Sequence, residues 1–414
     1  MTPTYRTAIT QPPRPAVYGD WPTWAYPPLI AQLADEYGIT RPYQHQSLTA
    51  TTAHDGHHVI VATGTSSGKS LGYQLPALTD LARDPAACAL YLTPTKALGN
   101  DQLTAILRLC RADPALASIN PAPYDGDTPT EARRTIRATS RYLVTNPDML
   151  HGGILAYPDL WRRLLANLRY VIVDEAHQYR GVFGAHVSLV LRRLLRLARR
   201  AQQARGNGFG GSGGVGAGGH GVPKTGGPVV ILASATSNNP AQHAARLIGD
   251  PDVVAVTEDG SPRGRRTIIL TEAGPADSPG GDSGGGAGEG LAADAADTGR
   301  QADIHPGDRR RSVTTEAALL MADFLVEGAR TLVFTKSRAG AELVALRAQT
   351  ELARVGRPDL GARVAAYRAG YLAADRRRIE LALDDGELLG VAATNALELG
   401  IDIGGLDAVI TAGF

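Results

Sequence analysis

The feature that most constrains this chain is a junction. A short apolar run, Val59-Ile-Val-Ala62, passes directly into Thr63-Gly-Thr-Ser-Ser-Gly-Lys-Ser70. An apolar run of that kind reads as a strand buried on both faces, and the Gly-rich turn after it reads as the lead into a helix. The junction therefore predicts a parallel α/β sheet with this loop at the carboxyl end of one strand. In such a loop, successive N–H groups from Gly64 through Thr65, Ser66 and Ser67 to Gly68 cradle phosphate oxygens at a helix N-terminus. Lys69 then reaches the β- and γ-phosphates of ATP, and Ser70 offers its hydroxyl to Mg²⁺. The loop departs from the G-x-x-x-x-G-K-[ST] pattern at its first position, which is Thr63, with Gly one place later. A chance Gly/Ser turn is the competing reading; the preceding strand and the Gly-Lys-Ser ending weigh against it.

Further strands are expected at Ala89–Leu92, Tyr142–Thr145, Tyr170–Val173 and Val229–Leu232, with helical stretches between them. A second set follows at Thr331–Phe334, Arg363–Ala366, Gly390–Ala393 and Ala408–Ile410. The pattern predicts two α/β domains in tandem, residues 41–270 and 313–414, after an N-terminal extension of residues 1–40. Residues 271–312 form the expected linker.

Two segments look unable to bury enough apolar area to offset chain entropy. Gly206–Gly227 holds 12 glycines in 22 residues, and Gly274–Arg300 holds 9 in 27. The first is expected to be a flexible insertion in the first domain, and the second part of the linker. A Gly-rich nucleic-acid-binding arm is the sharper alternative, but repeated Arg-Gly or interleaved aromatics are missing.

The net charge of +1 gives no global basic field, so nucleic-acid contact would need a local groove. Only Lys69, Lys96, Lys224 and Lys336 are lysines, which makes a lysine inside a motif more notable. Two cysteines, Cys88 and Cys110, cannot build a four-cysteine zinc site or a disulfide framework, so a reducing cytoplasm is expected. No apolar run reaches the roughly 18 residues of a membrane span, and Met1–Pro15 lacks the apolar stretch of a secretory signal.

Asp174-Glu-Ala-His177 ends the fourth strand. Asp174 at a strand edge can meet Mg²⁺ through water, and Glu175 beside it can orient and deprotonate an attacking water. An acidic turn after a strand is the bland alternative; the pair's place in the same sheet as the phosphate loop argues against it. Gln46, in Tyr43-Gln-His-Gln46, carries an amide that can donate to and accept from an adenine edge, although it also fits an ordinary polar position early in a helix.

In order, these strings and Ser234-Ala-Thr236 resemble the motor core of a superfamily 2 helicase of the DEAH type: two RecA-like P-loop domains. The chain is more closely similar to the bacterial mitomycin repair factor A (YprA-type) helicases and their fungal Hrq relatives, which act on DNA and carry a zinc-containing C-terminal domain. Shared strings include Thr93-Pro-Thr-Lys-Ala-Leu98, Thr145-Asn-Pro-Asp-Met-Leu150, Val333-Phe-Thr-Lys-Ser-Arg338, Tyr367-Arg-Ala-Gly370 and Thr394-Asn-Ala-Leu-Glu-Leu-Gly-Ile-Asp-Ile403. The resemblance implies that His177 contacts Ser234, Ala235 and Thr236 and relays the nucleotide state. It places Pro94, Thr95, Lys96, Gly126, Asp127, Thr145 and Asn146 on the nucleic-acid face of the first domain, and Thr335, Lys336, Arg338 and Thr394 on that of the second. Asp402 would face the nucleotide. For each, a polar loop residue after a strand is the plain alternative.

The family's final motif, Q-x-x-G-R-x-G-R, does not occur before Phe414. The expectation is therefore an incomplete second domain, a downstream segment that supplies the motif, and weak turnover by this chain alone. The resemblance implies an ATP-dependent DNA helicase acting in repair on DNA with a single-stranded region. A nucleotide-dependent nucleic-acid binder without hydrolysis and an RNA helicase are the alternatives.

Overall fold

The structure, a computed structural model, describes residues 4–111, 113–207, 226–273, 310–368, 370–394 and 405–413. Asp402 and most of the two Gly-rich segments lie outside the described residues. The chain divides into two compact units, residues 13–264 and residues 1–12 with 265–414.

Strand β1 (Thr4–Gln11) belongs to the second unit. The first unit begins with α1 (Pro27–Tyr37), α2 (Gln44–His54), β2 (His58–Ala62), α3 (Lys69–Arg83), β3 (Cys88–Leu92) and α4 (Lys96–Leu109). It continues through α5 (Pro114–Ala117), β4 (Ala122–Pro123), α6 (Thr130–Thr139), β5 (Tyr142–Thr145), α7 (Pro147–Met149), α8 (Arg162–Asn167) and β6 (Leu168–Val173). The long α9 (Gly181–Asn207) leads to β7 (Val229–Ser234), α10 (Pro240–Ile248) and β8 (Val253–Val256).

The seven strands form one parallel sheet in the order β4-β5-β3-β6-β7-β2-β8. Every residue of β2, β3 and β7 is buried, as a sheet covered by helices on both faces requires. Alternate residues feed opposite cores. Val59, Val61, Ala89 and Tyr91 pack into one, with Leu29 and Leu33 of α1. Ile60, Leu90 and Leu92 pack into the other, against Leu191, Leu194 and Leu195 of α9. Each buried Val, Leu or Ile among them contributes about 1.5–3 kcal/mol. Residues ahead of α1 join this unit too: Trp21 and Trp24 pack against the first core, and Trp24 stacks on His54 at 3.9 Å.

A buried arginine fastens the carboxyl end of α3. Arg141, 5% exposed, donates from Nη1 to the carbonyls of Leu81 (2.6 Å) and Asp84 (3.1 Å), and from Nη2 to Ser118 Oγ (2.8 Å). The last carbonyls of a helix need such donors, and a cation there also meets the negative end of the helix dipole.

The second unit continues with β9 (Arg266–Glu272), α11 (Val313–Val326), β10 (Thr331–Thr335), α12 (Arg338–Arg354) and α13 (Pro358–Gly361). It ends with β11 (Val364–Tyr367), α14 (Ala373–Asp384), β12 (Gly390–Ala393) and β13 (Ala408–Ala412). Four of these strands form a parallel sheet in the order β11-β12-β10-β13, and β1 pairs antiparallel with β9 as a separate ribbon.

The expected strands are all present, and both sheets are parallel α/β sheets. Four further strands were not legible in sequence. β8 is an edge strand with one buried residue, so its sequence lacks a core signature. β4 is two residues long. β1 and β9 find each other only through the fold. No described helix is long and apolar enough to cross a membrane.

Candidate active site and nucleic-acid interface

The site in the first unit is built by three neighbouring strands. β7 lies between β6 and β2, with Val173 opposite Leu232 and Ala62 opposite Ser234. Asp174, Ser234 and the phosphate loop therefore leave the same carboxyl edge of the sheet side by side, where α/β proteins bind ligands.

The loop enters α3 through Gly68, whose φ of +72° lies in the left-handed region and which brings no side chain to cap the helix. The amides of the first turn of α3 thus have no side-chain acceptor at the N-cap, the arrangement that suits an anion. Lys69 folds over the loop and donates from Nζ to the carbonyl of Gly64 (2.6 Å) and, longer, to that of Thr63 (3.4 Å). Burial lowers the Lys69 pKa, with Glu175, Asp174 and Asp259 opposing the shift. Thr63, the departure from the usual glycine, is buried, and its hydroxyl bonds that of Ser67 at 2.7 Å across the loop. Thr65 and Ser66 are exposed at the loop's crest.

Gln46 is not a free amide. Its Oε1 accepts from the Tyr43 N–H (2.7 Å), and its Nε2 donates to the Gly68 carbonyl (2.7 Å). The same side chain thus satisfies the start of α2 and ties it to the phosphate loop. His45, fully buried, touches the Ser67 carbonyl at 3.0 Å through Nε2 and accepts the Gly260 N–H (3.2 Å) at Nδ1. Gly260 follows Asp259, whose carboxylate accepts from the N–H and hydroxyl of Ser261 and pairs with Arg14 at 3.0 Å. Burial opposes ionisation of Asp259, but these donors outweigh it and lower its pKa to about 2. Sequence reasoning passed over His45, Asp259 and Arg14. His45 lay inside a quoted string, whereas nothing local marks Asp259 or Arg14.

Asp174 is almost fully buried. Its Oδ1 accepts the Glu175 N–H (2.9 Å), and its Oδ2 accepts the Tyr91 hydroxyl. Burial raises its pKa against these bonds and the Lys69 charge. Each carboxylate oxygen keeps a second lone pair. With the Ser70 hydroxyl on the first turn of α3, this is a hard-oxygen set of one carboxylate and one hydroxyl. It fits Mg²⁺, which takes one or two carboxylates and fills its shell with phosphate oxygens and water.

Glu175 has a φ of +48°, a left-handed conformation strained for a non-glycine residue. Burial first, then the neighbouring Asp174 charge, raises its pKa to about 7, with Lys69 pulling the other way. Its Oε2 lies 3.1 Å from His177 Nδ1, and the same nitrogen receives the Ala235 N–H at 3.3 Å. Nδ1 has a single lone pair, so the backbone N–H and the Glu175 carboxyl compete for the same ring atom. The structure thus joins His177 to Ala235. Ser234 is buried at the end of β7 with its Oγ on the Ala235 carbonyl, and Thr236 is exposed.

Along the same edge, Lys96 pairs with Asp127 at 2.7 Å, both well exposed. Thr95 caps α4 through the Leu98 N–H, and Asn146 caps α7 through the Met149 N–H. Lys96, Gly126 and Asn146 line one cavity, and Pro94, two residues before Lys96, is partly exposed. Thr145 differs: it is 2% exposed and its hydroxyl donates inward to the Tyr124 carbonyl (2.6 Å). In the second unit, Thr335 ends β10 and Thr394 directly follows the neighbouring β12, and both are buried; the Thr335 hydroxyl bonds the Ser337 carbonyl. Lys336 follows Thr335, and Arg338 opens α12.

Comparison with known proteins agrees with this geometry. The DEAD/DEAH box helicase family model matches residues 41–243, and the helicase conserved C-terminal domain model matches residues 317–414. The ATP-dependent helicase HRQ1 of Saccharomyces cerevisiae is 37% identical over 372 residues, covering 90% of this chain and 30% of that protein. The uncharacterized ATP-dependent helicase YprA of Bacillus subtilis is 35% identical, covering 91% of this chain and 43% of that one. Among solved structures, the DUF1998 helicase MrfA bound to DNA superposes with a TM-score of 0.80 at 32% identity, covering 99% of this chain and 50% of that one. The chain thus spans about a third to a half the length of these relatives. With both domain models matched in order on two parallel α/β units, the chain belongs to the DEAD/DEAH box helicases, on the branch that includes HRQ1, YprA and MrfA.

Proposed function

We propose that this chain is the ATP-driven motor core of a DNA helicase, moving along or unwinding DNA that carries a single-stranded region, in the service of repair. The observation that carries the reading is the cluster at the carboxyl edge of β6, β7 and β2: Lys69 over the loop, Asp174 buried, and Glu175 with a carboxyl raised to about 7. MrfA, a structural neighbour, is seen with DNA and with AMPPNP, which supports DNA and ATP as the ligands. In this reading the motor domains are residues 41–270 and 313–414, joined by 271–312.

The residues act as follows. Amides from Gly64 to Gly68 bind phosphate oxygens, and Lys69 exchanges its loop carbonyls for the β- and γ-phosphates. Ser70 and Asp174 would hold Mg²⁺, which would supply charge neutralisation on the phosphates. Glu175 in its ionised form orients the attacking water and takes its proton, a role that a pKa near neutrality serves. Proton loss or gain there changes the Glu175–His177 contact, and His177 passes the change to Ala235 through one backbone hydrogen bond. Gln46 serves adenine through the amide proton that Gly68 leaves unused, and Asp402 is assigned to the nucleotide side of the second domain. Pro94, Thr95, Lys96, Gly126, Asp127, Thr145 and Asn146 serve strand binding in one domain, and Thr335, Lys336, Arg338 and Thr394 serve it in the other. Thr145 acts there by shaping the Asn146 turn, because its own hydroxyl is committed inward.

The test is ATP binding by the chain, and ATP turnover by the chain extended with a downstream segment carrying Q-x-x-G-R-x-G-R, with and without single-stranded DNA and beside the matching RNA. Turnover raised by DNA, and lost in Glu175→Gln while nucleotide binding persists, is the expected result. Undiminished ATP binding by Lys69→Ala would remove the phosphate-loop assignment and the reading with it.

A further inference from the structure

The cavity beside Asn146 holds more than the loop-end residues just described. It measures about 620 Å³, in the range of small-molecule sites. One wall comes from an unusual turn. The Leu155 N–H bonds the Leu150 carbonyl at 2.9 Å, five residues back, so Leu150–Ile154 forms a single π-helical turn. Such wide turns often mark functional sites. It presents Gly152 and Gly153 to the cavity, where a side chain would stand in other helices. The floor is Trp161, 3% exposed, held by its Nε1 on the Gly153 carbonyl (3.2 Å) and by an edge-on contact with Tyr124 at 4.7 Å. At the rim stand Tyr157, 58% exposed, and Leu160, 61% exposed.

The opposite side is basic. Arg133 donates to the backbone carbonyls of Thr128 (3.1 Å) and Asp125 (3.3 Å), and Arg137 to the Tyr124 hydroxyl (3.3 Å). Among the described residues neither arginine forms an ion pair with a carboxylate, so their charges stay uncompensated. Asp148, exposed, is the acidic residue of the lining. Uncompensated guanidinium groups facing an exposed aromatic are the chemistry of single-strand binding, in which cations hold phosphate and rings stack on bases.

We propose that this cavity is a nucleotide-binding subsite: it takes one nucleotide out of a single strand of DNA, its base against Tyr157, Leu160 and Trp161 and its phosphate beside Arg137. The proposal rests on the nucleic-acid reading above and adds a place where a base leaves the stack. The strand itself would run past Lys96 and Asn146, which line the same cavity.

Gly152 provides the test. A Cβ built there meets nothing within 4 Å, so a side chain enters the cavity without displacing the fold, whereas one at Gly153 would strike Met149 Sδ at 2.2 Å. Binding of fluorescein-labelled oligothymidylate to the full chain is followed by anisotropy, with nucleotide affinity and melting temperature as folding controls. Gly152→Ala is expected to bind as wild type. Gly152→Phe and Tyr157→Ala are each expected to bind about tenfold more weakly, the scale of one stacked base. Wild type should prefer oligothymidylate to an abasic strand of equal length, and Tyr157→Ala should lose that preference. Equal affinity of wild type and Gly152→Phe, with nucleic-acid binding intact, would overturn the subsite and leave the helicase reading standing. Failure of wild type to bind any strand would overturn both.

Discussion

Arg14 and Asp259 meet at 3.0 Å behind the phosphate loop, and a Cβ on Gly64 would lie 3.2 Å from the Asp259 Oδ2 atom. An ion pair between the start of the first unit and the turn after its last strand thus forms the back wall of the loop. Its carboxylate is the charge that Lys69 feels besides Glu175 and Asp174.

Arg14→Ala is expected to lower stability by about 1 kcal/mol and to weaken ATP binding several-fold, because Asp259 loses a partner while staying partly buried. The sign with pH follows from the depressed carboxyl, about 2 against 3.8 in the unfolded chain. That contribution is fully present above pH 4 and is lost as pH falls through 2. The difference between variant and wild type in urea unfolding should therefore be constant from pH 5 to pH 8.

Gly68→Ala should disable the loop more than its size suggests. The new Cβ would lie 2.6 Å from Gln46 Nε2, at a backbone φ of +72°. Either the Gln46–Gly68 bond breaks or the loop shifts, and a tenfold or larger loss of ATP affinity is expected. Gln46→Ala, which removes the same bond without the clash, should lose less. Calorimetric titration of both with ATP checks the order, and a Gly68→Ala affinity equal to wild type would show that the loop is loosely held.

In the mechanism proposed above, Glu175 sets the pH dependence of turnover. With its carboxyl raised to about 7, the active ionised form accumulates as pH rises through neutrality, so the ATPase rate should climb between pH 6 and pH 8. The stability effect runs in the opposite direction. A carboxyl whose folded pKa exceeds its unfolded value stabilises the fold below about 4.5, and loses that contribution as pH passes 7. Glu175→Gln should therefore melt higher than wild type at pH 8 and about equal to it at pH 5. A pH-independent rate would place the base elsewhere.

Arg141→Leu should be a stability variant alone. It strips donors from the Leu81 and Asp84 carbonyls and from Ser118. A loss of about 1–3 kcal/mol is expected, because the Leu81 carbonyl left behind is buried. ATP affinity, measured well below the melting temperature, should barely change.

Much of this was legible in sequence because its signals are local. Strand β2 and Lys69 stand within one short string, and Asp174 and Glu175 end another, so spacing along the chain already carried the geometry. Thr145 shows the limit: a hydroxyl at a strand end reads as exposed, and only the pleat of β5 turns it toward Tyr124. Asp259 and Arg14 were illegible for another reason. Their meaning lies in a partner far along the chain, and neither neighbourhood has periodicity or composition to announce it. The His177–Ala235 contact came from resemblance, and the place of Glu175 beside the same ring nitrogen could come only from the folded geometry.

The polarity of β7 has a practical side. The chain enters this strand at Val229 from the Gly-rich stretch and leaves it at Ser234 among the reacting groups. Six residues of extended chain separate the two ends by roughly 20 Å. The seam where residues 206–227 attach is therefore at the opposite rim from the phosphate loop, and it is the natural port for a dye, a tether or a fused domain that must leave that rim undisturbed.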